Sequence, residues 1–260
     1  MKQLAAALGF FPVTPARHWP RLAFYFLGSA LYRTVGLRLF SEIELRFGDF
    51  VVLADVTGKS GLAFLYEIIG KEIYAFPELW EDPPVRLLFD AGANCGFYAI
   101  THCARFPNLR AWCFEPQPNT FHHLQKNIEA NRLQSRIRPL QAAVAANSGT
   151  CLLQISEESS MGIVSTSTTQ YLKAPRNVEV QMISFDDAAA RENAWPDLLK
   201  IDVEGFEVEV LKGAARCLEH ARYVILEFHS EELGRQCETI LENAHFTTWR
   251  KGELLFARKK

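Results

Sequence analysis

No Cys-x-x-Cys pair occurs in this 260-residue chain, and none of its six cysteines has a histidine at zinc-finger spacing. A structural zinc site is therefore not expected. Cys95, Cys103, Cys113, Cys151, Cys217 and Cys237 read instead as reduced, mostly buried thiols of a cytosolic protein. An excess of either charge is also missing: 28 Lys and Arg against 30 Asp and Glu leave a formal net charge of -2, which gives no bulk reason to expect a nucleic-acid partner. No apolar run is long enough to cross a bilayer, since the stretch from Leu22 to Tyr32 is short and bounded by Arg21 and Arg33. Met1 to Ala16 has one basic residue before Arg17 and an apolar run broken by Pro12, a poor match to a signal peptide. Gly58-Lys-Ser-Gly61 lacks the first glycine of a phosphate loop, because Leu53 stands in its place. Internal repeats are absent as well.

Acid is missing altogether from the first 41 residues, which carry Lys2, Arg17, Arg21, Arg33 and Arg38 among Leu, Phe, Tyr and Trp. A basic, aromatic helix of this kind suits the surface of an anionic membrane. It also suits a cap on a folded domain, which is the commoner use of such a stripe. Peripheral membrane contact through residues 1–41 and simple cover for a core both stay open.

With 48% hydrophobic and 22% charged residues, the composition is that of a soluble globular protein, long enough for one α/β domain and an extension. The expected division is a mixed, helical extension over residues 1–80 and an α/β domain over residues 81–260. A strand is expected around Phe50 to Leu53, and Pro77, Pro83 and Pro84 punctuate the passage between the two parts. Strands and helices then alternate as in a doubly wound parallel sheet. Strands are predicted at Leu109 to Glu115, Ile137 to Val144, Leu198 to Val203 and Tyr223 to Phe228. A helix is predicted from Pro118 to Asn131, with Phe121, Leu124 and Ile128 on one face. Gly149 to Ala189 reads as a β-hairpin insertion with a mobile Ser/Thr-rich tip around residues 159–169, and Phe246 to Ala257 as a last antiparallel pair.

The most informative segment is Val85-Arg-Leu-Leu-Phe-Asp-Ala-Gly-Ala-Asn-Cys-Gly96. A short apolar strand, suited to burial on both faces of a parallel sheet, ends in Asp90 and turns through Gly92 and Gly96 into a helix. Open α/β sheets bind their ligands at such a strand end. A dinucleotide fingerprint needs a second glycine where Asn94 stands, so that a pyrophosphate can approach the helix N-terminus. An acid followed by Gly-x-x-x-Gly fits S-adenosylmethionine better, because that cofactor has no phosphate and carries a cationic sulfonium. An ordinary strand-turn-helix with incidental glycines is the third reading.

Glu115-Pro116 ends the next strand, where a carboxylate can accept two hydrogen bonds from a ribose diol; a solvated loop carboxylate is the alternative. In Leu199-Lys-Ile-Asp-Val-Glu-Gly205 the charged residues Lys200, Asp202 and Glu204 are expected on one side of a strand, with Ile201 and Val203 on the other. A central strand tolerates such charges when they pair or project into the crevice, so Lys200 is expected to pair with an acid while Asp202 and Glu204 line the pocket. A purely structural charge cluster competes with that reading.

Three segments together resemble the FkbM methyltransferases: Phe89-Asp-Ala-Gly-Ala-Asn-Cys-Gly-Phe-Tyr98, Phe114-Glu-Pro-Gln-Pro-Asn-Thr-Phe121 with Leu124 and Asn127, and Leu199-Lys-Ile-Asp-Val-Glu-Gly-Phe-Glu207 with Leu211, Gly213 and Ala214. The resemblance covers residues 85–229 with the flanking strands. It implies a Rossmann-like, seven-stranded methyltransferase sheet, S-adenosylmethionine as cofactor and methylation of a hydroxyl oxygen. The turn of Asp90, Gly92, Asn94 and Gly96 is then expected around the methionine end, with Glu115 and Pro116 at the ribose. Many methyltransferases place an acid after the third strand to contact adenine. Here the stretch is Gln141-Ala-Ala-Val-Ala-Ala-Asn147, which leaves adenine to backbone groups such as those of Ala143, or to Asn147.

Methyl transfer needs a positioned nucleophile, with the cofactor supplying the leaving group. A proton acceptor is sought among Asp202, Glu204, Glu227 and His229, at strand ends on the crevice side, with Lys200 beside them and Asp202 shared with the cofactor. His122 and His123 fall on a helix, and no cluster has metal-ligand spacing, so no metal is expected. The expected acceptor is a sugar, glycan, lipid or natural-product hydroxyl. A noncatalytic scaffold that keeps the cofactor fold is the runner-up.

Overall fold

The computed structural model describes residues 16–55, 62–81, 83–155, 162–164 and 176–260. Helix α1 (Trp19–Val35) precedes a hairpin of β1 (Glu42–Phe47) and β2 (Phe50–Asp55), and α2 (Leu62–Ile69) follows. Next come β3 (Leu87–Ala91), α3 (Phe97–Arg105), β4 (Arg110–Phe114), α4 (Pro118–Ala130) and β5 (Ile137–Leu140). The insertion holds β6 (Ala143–Val144), β7 (Gly149–Ile155), β8 (Gly162–Val164) and β9 (Arg176–Ile183), and α5 (Phe185–Glu192) leads on to β10 (Leu198–Ile201). The chain closes with α6 (Glu207–Lys212), α7 (Ala215–His220), β11 (Tyr223–Glu227), α8 (Glu231–Asn243), β12 (Phe246–Lys251) and β13 (Leu254–Lys259).

Seven strands make the main sheet in the order β12-β13-β11-β10-β3-β4-β5. Strands β11, β10, β3, β4 and β5 are parallel, and β13 runs antiparallel to both β11 and β12. This is the doubly wound sheet expected from the alternation of elements. After β3 the chain steps outward to β4 and β5 and then returns to β10 on the other side, so a topological switch point lies between β3 and β10. Adjacent residues of β3 serve opposite faces. Leu88 packs with Ile100, Leu124 and Ile225, and Phe89 packs with Phe114, Phe185 and Leu199. The strand is apolar at every position but Asp90 because helices cover both faces.

The N-terminal part shares the first of these cores: Leu22, Tyr25, Leu45, Phe47 and Val52 are buried with residues of α3 and α4. Two amides of α4 join it to the domain. Asn127 Oδ1 accepts the Leu53 N–H at 2.9 Å, and Asn131 pairs with both the N–H and the carbonyl of Val51 at 2.8 Å. The polar edge of β2 is thereby satisfied by side chains in place of another strand.

Several boundaries differ from expectation. The third predicted strand breaks: β5 is the sheet's edge, where Pro139 is tolerated, and Ala143–Val144 instead pairs with β9 in a four-stranded sheet of order β6-β9-β7-β8. The insertion is a hairpin, registered from Gly149 opposite Met182 to Ile155 opposite Arg176, but its final residues form α5, with the Ser184 hydroxyl capping Asp187 N–H at 3.0 Å. Most of the predicted Ser/Thr tip, the Gly58–Gly61 turn and residues 1–15 lie outside the described residues. Among the described residues, no helix is long and apolar enough to cross a membrane.

Candidate active site

The turn after β3 is left-handed at Gly92 (φ 71°), Asn94 (φ 51°) and Gly96 (φ 84°). The N–H groups of Gly92 and Ala93 both donate to the Phe114 carbonyl at 3.0 Å, which ties the turn to the end of β4. What demands glycine here is the protein itself. A Cβ on Gly92 would collide with the Asp202 carbonyl, and one on Gly96 with Leu124 of α4. Gly92 thus lets the ends of β3 and β10 approach, and Gly96 lets α3 lie against α4. Gly92→Ala is expected to lower the unfolding free energy by at least about 1–3 kcal/mol from backbone strain alone. Urea denaturation checks this, and a midpoint equal to the parent protein's rules the clash out.

Across the switch point, Asp90 and Lys200 stand opposite each other in the β3–β10 register. Their side chains are 0% and 5% exposed, and Lys200 Nζ lies 3.4 Å from Asp90 Oδ1. Lys200 also reaches Asp202 Oδ2 and the Gly92 carbonyl, each at 3.3 Å. Burial pushes the Asp90 carboxyl up to about 6 against the pull of Lys200. Burial works against the Lys200 ammonium too, but Asp90 and Asp202 outweigh it and hold its pKa above the usual lysine range. Lys200 therefore has the acidic partner that the charged strand required. Neither Asp90 oxygen accepts a hydrogen bond, leaving a carboxylate at the heart of the sheet short of donors.

Glu115, 7% exposed, is aimed back at the turn. Its Oε2 accepts Asn94 N–H at 3.0 Å and its Oε1 accepts Gln117 N–H at 2.9 Å. Burial lifts its pKa to about 7, and the two backbone donors only partly offset that. The Asn94 side chain folds back to accept Cys95 N–H at 2.8 Å.

Strand β10 stops at Ile201, short of the predicted end. Glu204 (φ 53°) and Gly205 (φ 99°) turn the chain out of the sheet, so Asp202 and Glu204 are loop residues and do not share a strand face with Lys200. The turn still brings both acids to His229, which follows β11. His229 Nε2 lies 3.3 Å from Glu204 Oε2 and 4.0 Å from Asp202 Oδ1. Its Nδ1 is 2.7 Å from Oε1 of Glu207, a carboxylate with no exposed surface that also accepts Gly205 N–H at 2.7 Å. Burial disfavours the imidazolium, but the Glu207 hydrogen bond and charge, with Glu204 and Asp202, raise His229 to about 9. At neutral pH the ring is a cation among carboxylates.

Ligand-capable atoms of Asp202, Glu204 and His229 lie within 4.8 Å of one another, a grouping that sequence spacing did not offer. Ala143 is 5% exposed, packs with Leu153, Ile155 and Val180, and pairs with Met182 of β9. Pro116 is half-buried beside Glu115, and His122 and Asn147 are exposed.

A family model described as "Methyltransferase FkbM domain" matches residues 90–251. The chain belongs to the FkbM methyltransferase family. It is 30% identical over 163 residues to a hexuronic acid methyltransferase, AglP, of Haloferax volcanii; the match covers 62% of this chain and 64% of AglP. Identity to the methyltransferase sdnD of Sordaria araneosa is 26% over 215 residues, covering 70% and 81% of the two chains. The 2-O-methyltransferase NoeI of Sinorhizobium fredii is 24% identical over 169 residues, covering 58% and 67%.

The turn, Glu115 and the acid–imidazole cluster all fall inside the FkbM match, and one contributor does not. Tyr74, 8% exposed, donates its hydroxyl to Glu227 Oε2 at 2.6 Å and lies 3.4 Å from Asp202 Oδ2, while Lys200 Nζ sits 5.6 Å from its ring centre. Burial, then the charge of Asp202, lifts Glu227 above the ordinary carboxylate range. Sequence reading missed Tyr74 because nothing local marks a tyrosine in a mixed segment as belonging to a crevice assembled over a hundred residues later. Glu207 was within the quoted motif, but a glutamate opening a helix reads as solvated until its burial is seen.

Proposed function

We propose that this chain is an S-adenosylmethionine-dependent methyltransferase acting on a hydroxyl oxygen of a sugar, glycan, lipid or natural product. The supporting observation is that the Asp90–Gly96 turn and Glu115 lie on one side of the switch point, with Asp202, Glu204, Glu207, Glu227 and His229 on the other. The residues fit the cofactor's chemistry. Asp90, ion-paired with Lys200 but short of hydrogen-bond donors among the described residues, is a carboxylate that suits an ammonium-bearing group, and Glu115 has lone pairs beyond its two backbone donors for a ribose diol. A pyrophosphate fits poorly, because this crevice is lined by carboxylates that repel it.

When bound, the cofactor supplies an electrophilic methyl group and carries its own leaving group. The chain's residues do the rest. Asp90, Gly92, Asn94, Gly96, Glu115 and Pro116 would hold it, with backbone near Ala143 for the adenine, and Lys200 positions Asp202 at 3.3 Å. His229, once deprotonated, accepts the hydroxyl proton at Nε2 while Glu207 holds its Nδ1–H and sets the tautomer. Glu204 and Asp202 orient the ring. This reading assigns no metal to the cluster, so chelators are expected to leave the rate unchanged. A cytoplasmic location, with peripheral membrane contact through residues 1–41, belongs to the same proposal.

Calorimetry with S-adenosylmethionine and with nicotinamide dinucleotides tests the cofactor, and Glu115→Ala is expected to weaken binding of the former about tenfold or more, the loss of one charge-assisted contact. No heat from folded protein with S-adenosylmethionine rejects the proposal. A tritiated-methyl transfer screen over glycans, lipids and hydroxylated metabolites then identifies the acceptor.

A further inference from the structure

Helix α1 buries one face, and among the described residues the other carries a series of wholly or partly exposed apolar side chains. Leu22, Tyr25 and Ser29 are buried against the rest of the protein, and Gly28 lies so close to the Phe40 ring that no Cβ would fit. On the opposite side Phe24, Leu27, Leu31 and Val35 follow one another at intervals of three and four residues, the spacing of a single helical stripe. Leu27 is 56% and Val35 69% exposed. Leu37 and Leu39, just beyond its end, extend the same apolar surface. Of the large apolar side chains exposed among the described residues, only Leu152 and Trp249 lie elsewhere. A soluble surface does not ordinarily concentrate its apolar exposure in one short segment.

The charge around this stripe has one sign. Arg17, Arg21 and Arg38 are exposed at its ends, and the first acid in the chain, Glu42, is already paired with Lys126 at 2.9 Å. An apolar ridge edged by guanidinium groups complements a surface that is apolar below and anionic above, which describes a bilayer containing acidic lipids. We propose that α1 and the segment to Leu39 are a docking surface for an anionic membrane. Phe24, Leu27 and Val35 enter the interface while Arg17, Arg21 and Arg38 meet lipid phosphates. The inner face of α1 covers the core at the same time, so the two roles open from sequence are served by opposite sides of one helix. The proposal deepens the functional reading by presenting the crevice to acceptors held at a membrane, but it stands on surface chemistry that methyl transfer does not need.

The full chain is sedimented with vesicles of phosphatidylcholine alone and with vesicles containing about a third phosphatidylglycerol. Binding is expected to the second, to be at least tenfold weaker to the first, and to fall as salt is raised. Arg17→Glu/Arg21→Glu is expected to weaken binding by roughly a hundredfold or more, since each unit of basic charge near the surface contributes about fivefold and two reversals remove two such units and add two opposing ones. Phe24→Ser/Leu27→Ser should abolish binding at all salt concentrations. Circular dichroism and the urea midpoint of each variant confirm the fold without any ligand, which keeps this test apart from the methyl-transfer reading. Equal binding to both vesicle types, no binding to either, or a stable dimer by light scattering that Phe24→Ser/Leu27→Ser dissociates overturns the proposal, the last assigning the stripe to a second copy of the chain.

Discussion

Replacing Lys200 with methionine should lower the unfolding free energy by about 3–5 kcal/mol, the cost of leaving a buried carboxylate without its partner. Asp90 has no exposed surface and accepts no hydrogen bond, so nothing else near it can carry the charge. The effect also has a pH signature. The Asp90 carboxyl is already raised to about 6 in the folded protein, so its ionisation opposes folding as pH rises through that range. Without Lys200 the carboxyl rises further; in both proteins the penalty builds up above the unfolded value of about 4, but in the parent it stops growing near 6 and in the variant it continues to the new pKa. The variant should therefore be closer to the parent protein at pH 5 than at pH 8. Asp90→Asn added to Lys200→Met should recover part of the loss at pH 8. Urea titrations at both values check this, and an equal deficit at both would place the cost in packing and not in charge.

His229→Gln should reduce methyl transfer by about 10²–10⁴-fold, the usual contribution of a positioned proton acceptor, with cofactor affinity within a few-fold of the parent protein's. In the parent protein the rate should rise with pH up to about 9, because the ring is charged below that value and only its neutral form takes a proton. The variant should lose that rise. Stability moves in the opposite sense. A histidine whose folded pKa lies above its unfolded one contributes stability that is complete below about 6.5 and lost as pH rises through 9. Glu207→Gln removes the largest upward influence and should shift the rate profile toward lower pH. Rates of tritiated-methyl transfer between pH 6 and 10 decide the matter, and a parallel profile in His229→Gln assigns proton removal to another group.

The sheet was legible because its evidence is local. The run from Leu87 to Ala91 is apolar at every position but Asp90, a pattern that burial on both faces explains, and the alternation of strands with helices orders the rest. The Asp90–Gly96 turn was legible in shape, but the purpose of its glycines was not. They answer to the Asp202 carbonyl and to Leu124, atoms far away in sequence. The acids of the third motif were recognised as a group, although the strand thought to align them ends at Ile201. Their convergence on His229 comes from a reversal at Glu204 and Gly205, and the periodicity of a strand carries no information beyond its last residue. The N-terminal part was least legible. Its hairpin is held by Asn127 and Asn131, whose amides look like ordinary helix-surface residues until β2 is laid beside them.

The crevice around His229 also has a thermodynamic direction. Asp90, Asp202, Glu204, Glu207 and Glu227 crowd around Lys200 and His229, so negative charge exceeds positive even with the imidazole protonated. On the proposed chemistry the donor arrives with a positively charged sulfur and leaves, after methyl transfer, as a neutral thioether. The same field that draws the charged form in ceases to hold the spent one, so the reaction weakens the affinity of its own product and each turnover clears the site for the next.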